Sequence, residues 1–162
     1  LSLKIEDIDK LRQSLNNNCN LTEEQLEPKV KIDSPIGLKN VNLNIAKQLS
    51  YLEPFGVGNP KPLFGTKDLN LIGIQPLGKD NKHFKLMCRK ENINQEFLLF
   101  FKANEILEDL KKEFDECKIN SLFQRKASIP IDLVYSISIN EFRGNISVQT
   151  IVEDYRFSNS SK

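Results

Sequence analysis

The sequence predicts a mainly β domain behind a short helical lead-in, on three observations. Apolar residues recur at helical spacing in the first third of the chain and again over 104–117. Elsewhere in the second half apolar and polar residues alternate with period two. The change falls at Phe55-Gly56-Val57-Gly58-Asn59-Pro60-Lys61-Pro62, whose Gly and Pro residues specify a fixed, irregular turn. A division is therefore expected there, with a helical linker over 1–53 and a β domain over 54–158.

In the lead-in, Ile5, Ile8, Leu11 and Leu15 form one helical stripe, and Glu6, Asp7 and Asp9 favour its N-terminal end. Thr22 and Gln25 have capping-box spacing for a second, short helix that stops near Pro28. Val30 and Ile32 alternate with lysines, as a short strand would. Asn42 can cap a helix running through Leu52, with Leu43, Ala46, Leu49 and Leu52 on one side. Pro54 ends it.

Beyond the turn, Leu69, Leu71 and Ile74 mark a first strand ending near Leu77. Over 83–89, Phe84, Leu86 and Cys88 point one way and His83, Lys85, Met87 and Arg89 the other, a half-buried second strand. Phe97 to Phe101 is a third. Ile106, Leu107, Leu110, Phe114 and Cys117 predict a helix, with Asn104 as its cap. Ile131, Leu133, Tyr135, Ile137 and Ile139 alternate with Asp132, Val134, Ser136, Ser138 and Asn140 in a fourth strand. Gly144 sits in the following turn, and Ile146, Val148, Thr150 and Val152 mark a fifth. Three strands, a helix and two strands give a five-stranded OB-fold barrel with a helix between strands three and four.

The bulk numbers set limits. A chain of 162 residues suits one domain, or one with a lead-in. The net charge of +1 gives no whole-chain basic footprint, so a nucleic-acid reading rests on where charges lie. Cys19, Cys88 and Cys117 show no zinc spacing and fit a reducing, cytoplasmic setting. No apolar run reaches the roughly 18 residues of a membrane span, and no signal-peptide pattern opens the chain. It begins on Leu1 rather than Met, as a piece of a longer polypeptide would.

OB-folds bind oligomers around strands two and three, flanked by the loops between strands one and two and between four and five. The first loop holds Lys79 and Lys82 and leads to the outward His83, Lys85 and Arg89. From Lys79 to Lys90 there are five Lys or Arg against Asp80 alone, whereas the helical stretch Glu105–Glu116 has six acids against two lysines. A basic groove beside an acidic back suits tracking of a phosphate backbone. In the second loop, Asn140, Phe142 and Arg143 are the candidates: Phe142 to stack on a base, Arg143 to pair with a phosphate. Structural alternatives stand beside these. The strand cations can be a solvated face. Phe142 can pack back on the barrel, Arg143 can pair with Glu141 or Asp154, and His83 can bond locally. With one His and no nucleophile–base motif, no catalytic or metal-ligating set is expected.

Four segments carry a family resemblance. Residues 52–64, Leu-Glu-Pro-Phe-Gly-Val-Gly-Asn-Pro-Lys-Pro-Leu-Phe, resemble a run found in RecJ-type exonucleases. Gly78 through Leu86 resembles their "G…HLKL" element, with Phe84 in place of the more usual Leu. Asp132–Tyr135 with Asn140–Gly144 resembles "VDLVYxxxxNxFRG", and Gln149–Asp154 resembles the closing "LQLxIxD". The matches cover about residues 40–156. The resemblance implies the OB-fold of a five-prime to three-prime exonuclease specific for single-stranded DNA, acting in repair and recombination. It implies manganese or magnesium in DHH and DHHA1 domains, whose motifs this sequence lacks, so no cofactor or catalytic residue is carried over. Implied partners are single-stranded DNA, the rest of the nuclease and, as a further candidate, a single-strand-binding protein. A protein-docking module is the alternative function. The stretch Asp109–Lys126 is an extension beyond the family pattern.

Overall fold

The computed structural model describes residues 4–26 and 29–158. They divide into two compact units, Leu1–Val30 and Lys31–Lys162. The expected division at residue 54 falls within the second unit.

In the first unit a 3-10 turn, Ile5–Asp7, leads into α1, Ile8–Asn17. Lys10–Asp7 and Arg12–Asp9 ion pairs lie along it. The predicted capping box forms before α2, Glu23–Leu26. Thr22 Oγ1 accepts from Gln25 N–H at 3.3 Å, and Gln25 Oε1 accepts from Thr22 N–H at 3.0 Å. The stop expected at Pro28 lies outside the described residues.

The second unit opens with a two-residue strand, β1, Ser34–Pro35, rather than a strand on Val30 and Ile32, whose side chains remain exposed. β1 runs parallel to Phe64–Gly65. Asn42 caps α3, Leu43–Ser50, by accepting from the N–H groups of Asn44 and Ile45. The helix stops two residues short of Leu52 because Tyr51 and Leu52 enter a tight loop. Asn59 Nδ2 donates to Leu52 O at 2.7 Å and to Pro54 O at 3.1 Å, and the Glu53–Pro54 peptide is cis. α3 buries Ala46 and half-buries Ile45 and Leu49 against the core, which is why 31–53 belongs to this unit.

Five strands follow: β2, Phe64–Leu77; β3, His83–Lys90; β4, Ile93–Leu99; β5, Ile129–Phe142; and β6, Asn145–Phe157. Their order, β2-β3-β4-β6-β5 with β5 pairing back to β2, closes a barrel in the OB-fold arrangement. The third strand starts and ends earlier than the expected Phe97–Phe101. Phe101 takes φ +59° and leaves the sheet exposed. Period two places Phe84, Leu86, Cys88, Phe97, Leu99, Ile131, Leu133 and Tyr135 in the core, all 2% exposed or less. Tyr135 stacks edge-on to Phe97, and its hydroxyl lies 2.8 Å from Thr66 Oγ1.

The predicted helix over 104–117 is two helices, α4, Ala103–Glu113, and α5, Glu116–Phe123. Asn104 is not the cap; α4 starts one residue earlier, after Lys102, with no side-chain cap. The break has a cause. Phe114 turns extended to set its ring edge-on to Phe157, and Asp115 restarts the helix by accepting from Lys118 N–H at 2.8 Å. Tyr155 on β6 donates to Asp109 Oδ2 and ties α4 to the barrel. Burial first, and the Asp109 carboxylate second, push the Tyr155 phenol well above its ordinary range. Among the described residues no helix is long and apolar enough to cross a membrane.

Candidate nucleic-acid interface

Alternation along β3 sends His83, Lys85, Met87 and Arg89 outward, as the sequence predicts. The register then decides their neighbours. Lys85 stands opposite Leu98 and Gln75, Met87 opposite Glu96 and Gly73, and Arg89 opposite Asn94 and Asn70. Lys85 Nζ lies 2.9 Å from Glu96 Oε2, and Arg89 Nε donates to Asn94 Oδ1 at 2.8 Å. Both cations are thus held against the sheet by partners that are themselves exposed. Such pairs contribute little stability and can exchange for a phosphate. Lys90, counted in the basic run, turns away and donates to Lys67 O at 2.6 Å.

Lys79 and Lys82 are exposed in the β2–β3 loop. His83 at its exit has a local task. Its Nδ1 accepts from Phe101 N–H at 3.0 Å, and its ring meets Phe100 and Phe101 edge-on.

The other expected loop is a two-residue turn. Phe142 pairs with Asn145, and between them Arg143 and Gly144 take φ +52° and +79°. Positive φ at both centres is the type I′ geometry that matches strand twist. Asn140 lies half-buried in β5 opposite Ser147, and residues 141–147 are all exposed. Phe142 does not pack back on the barrel; it is 62% exposed. Arg143 pairs with neither Glu141 nor Asp154; its guanidinium lies 5.1 Å from the Phe142 ring centre.

These candidates are spread along the face. β6 runs parallel to β4, with Ile151 beside Leu98. The β5–β6 tip therefore lies toward the β3–β4 turn, and Lys79, Lys82 and His83 lie at the opposite end of β3. The eight residues of β3 separate the two ends by roughly 25 Å, with Lys85 and Arg89 between. The arrangement suits an extended polyanion rather than a compact ligand.

A groove of about 610 Å³ opens on this face, and its lining includes Met87, Arg89, Glu96, Arg125 and Lys126. Sequence reasoning missed the last two, which follow α5 without any periodic pattern. The available signal was a pair of cations in the connection between the helix and the fourth barrel strand. Among the described residues no group of three or more His, Cys, Asp or Glu side chains could hold a metal ion.

The family model described as the RecJ OB domain matches residues 32–154. The chain belongs to the RecJ OB domain family. A relative, the single-stranded-DNA-specific exonuclease RecJ of Bacillus subtilis, is 26% identical over 159 residues, covering 95% of this chain and 18% of the relative. The RecJ of Salmonella typhimurium is 24% identical over 159 residues, covering 95% of this chain and 24% of the relative. This chain therefore spans about a fifth of the relatives it matches. The crystal structure of RecJ from Thermus thermophilus in complex with Mn²⁺ superimposes with a TM-score of 0.59 at 16% identity. That match covers 99% of this chain and 20% of the RecJ chain, and shows the shared fold.

Proposed function

We propose that this RecJ OB domain binds single-stranded DNA along its β3–β4 face and is not itself catalytic. The observation that carries the reading is the run of Lys79, Lys82, Lys85 and Arg89 leading along one strand of an OB-fold barrel. Phosphate neutralisation by such a row supplies sequence-independent affinity. His83 positions the start of the face, and Asn140, Phe142 and Arg143 meet the strand at the far end, Phe142 by base stacking. The domain would guide DNA to DHH and DHHA1 domains elsewhere in a cytoplasmic nuclease used in repair and recombination. Manganese or magnesium chemistry belongs to those domains in this reading.

The test is to replace Lys82, Lys85 and Arg89 together and titrate with a labelled single strand at several salt concentrations. Affinity falls, and the salt slope becomes shallower by about 0.7 for each phosphate no longer neutralised. An unchanged slope would place the DNA elsewhere.

A second reading, protein docking, has its own observation. Tyr51 and Val57 are 87% and 109% exposed on the loop that Asn59 braces. A rigid apolar knob of this kind suits packing against the rest of the nuclease, or against a single-strand-binding protein. Docking through it would be insensitive to salt.

A further inference from the structure

α5 ends in a Schellman turn. Lys126 N–H donates to Ser121 O at 2.8 Å and Arg125 N–H to Leu122 O at 3.0 Å. The residue in the left-handed position is Arg125, with φ +58°. Glycine takes that position without steric cost. Arginine there works against the stability of the turn, so its side chain must be sought for another reason.

The side chain lies on the sheet. A methyl group at Gly73 would stand 3.0 Å from Arg125 Cγ and 2.5 Å from Met87 Cε. The missing side chain at Gly73 is thus the space in which Arg125 crosses β2 beside Met87. Lys126 and Arg89 line the same groove, whose volume of about 610 Å³ is in the range of small-ligand clefts. The groove combines three cations with the soft, apolar surface of Met87, and Glu96 is the acid among its lining residues.

We propose that Arg125 and Lys126 hold a backbone phosphate of the single strand at this groove, with the attached base resting on Met87. The inference rests on the single-stranded-DNA reading and extends it. It gives the helical excursion over 103–126 a task, which is to deliver two cations to the outer wall of the binding face.

The full 162-residue chain is titrated with a labelled oligothymidine strand across a salt series, beside Arg125→Gly, Lys126→Gln and the double variant. Melting temperature is followed in parallel. Arg125→Gly keeps or raises the melting temperature, because glycine relieves the positive φ, yet binds several-fold more weakly. The double variant has a salt slope shallower by about 0.7 for each phosphate released from the groove. Gly73→Ala is the second probe: it leaves the charge intact, sets a methyl group 2.5 Å from Met87 Cε and 3.0 Å from Arg125 Cγ so that both side chains must shift, Met87 the more, and also weakens binding. Wild-type affinity and slope in the double variant would overturn the inference. If the Lys82, Lys85 and Arg89 variant is weakened in that case, the broader reading stands. No binding by the unsubstituted chain would overturn both.

Discussion

Arg143 holds its guanidinium over the ring of Phe142 at the tip of the β5–β6 hairpin, 5.1 Å from the ring centre. The pair is local in sequence, exposed, and kept rigid by the type I′ turn beneath it. One face of the ring is occupied by the cation, and the residue as a whole is 62% exposed. An aromatic with so little burial contributes little to the fold.

Phe142→Ala should therefore leave stability within about 0.5 kcal/mol, as surface substitutions do. It should cost about 1–3 kcal/mol of single-strand binding, the range for base–aromatic stacking. Thermal unfolding and fluorescence anisotropy on the same preparation check both halves. A large drop in melting temperature with normal binding would make the hairpin tip structural.

Thr66 and Tyr135 make the opposite case. Thr66 Oγ1 donates its single proton to Ile36 O at 2.6 Å, so the 2.8 Å bond to Tyr135 is donated by the phenol. Burial pushes that phenol up to about 12. Tyr135→Phe removes one donor and should cost about 0.5–1.5 kcal/mol. Thr66→Val strands both the phenol and a carbonyl and should cost more, about 1–3 kcal/mol for each group left without a partner. Equal losses in denaturant unfolding would contradict this hydrogen-bond order.

Asp132 on β5 ties its strand to both neighbours, β2 through Asp68 and β6 through Arg156. Burial disfavours its charge, but bonds from Arg156, Asp68 N–H and Ser158 outweigh that and hold its carboxyl below the ordinary value. A lowered folded-state value means the stabilisation is present above the ordinary carboxylate range. It is lost as pH falls through that range towards the folded value. Melting temperature should drop between roughly pH 5 and pH 2, and Asp132→Asn should be less stable at neutral pH with a flatter acid limb. An identical acid limb in the variant would assign the effect to other carboxylates.

Asn42 accepts two backbone N–H bonds at the start of α3. Asn42→Ala should cost about 0.5–2 kcal/mol. Gly, which tolerates the cap backbone, should cost only a few tenths. Urea unfolding of the two variants measures the difference.

The strands were legible because a barrel buries one side of each, and Phe84, Leu86 and Cys88 announce that side by period two. The caps at Thr22 and Asn42 were legible because their chemistry is local. The break at Phe114 was not: helical spacing continues through it, and the ring's aromatic partner, Phe157, is distant in the chain. Asp115 was the missed cue, a capping residue inside an apolar pattern. At the candidate site, the outward row on β3 follows from the same alternation. Arg125 could not be placed, because its approach to Gly73 joins residues far apart in the chain. Nor does the sequence reveal that Lys85 and Arg89 lean on Glu96 and Asn94.

The most direct measurement is the affinity of the unsubstituted chain for a labelled single strand over a salt series, with duplex of the same sequence alongside. Binding should favour the single strand and weaken steeply as salt rises, with a log–log slope of about −0.7 for each phosphate engaged. Absence of binding at low salt, or an affinity that salt does not change, would contradict a DNA-tracking face on this barrel.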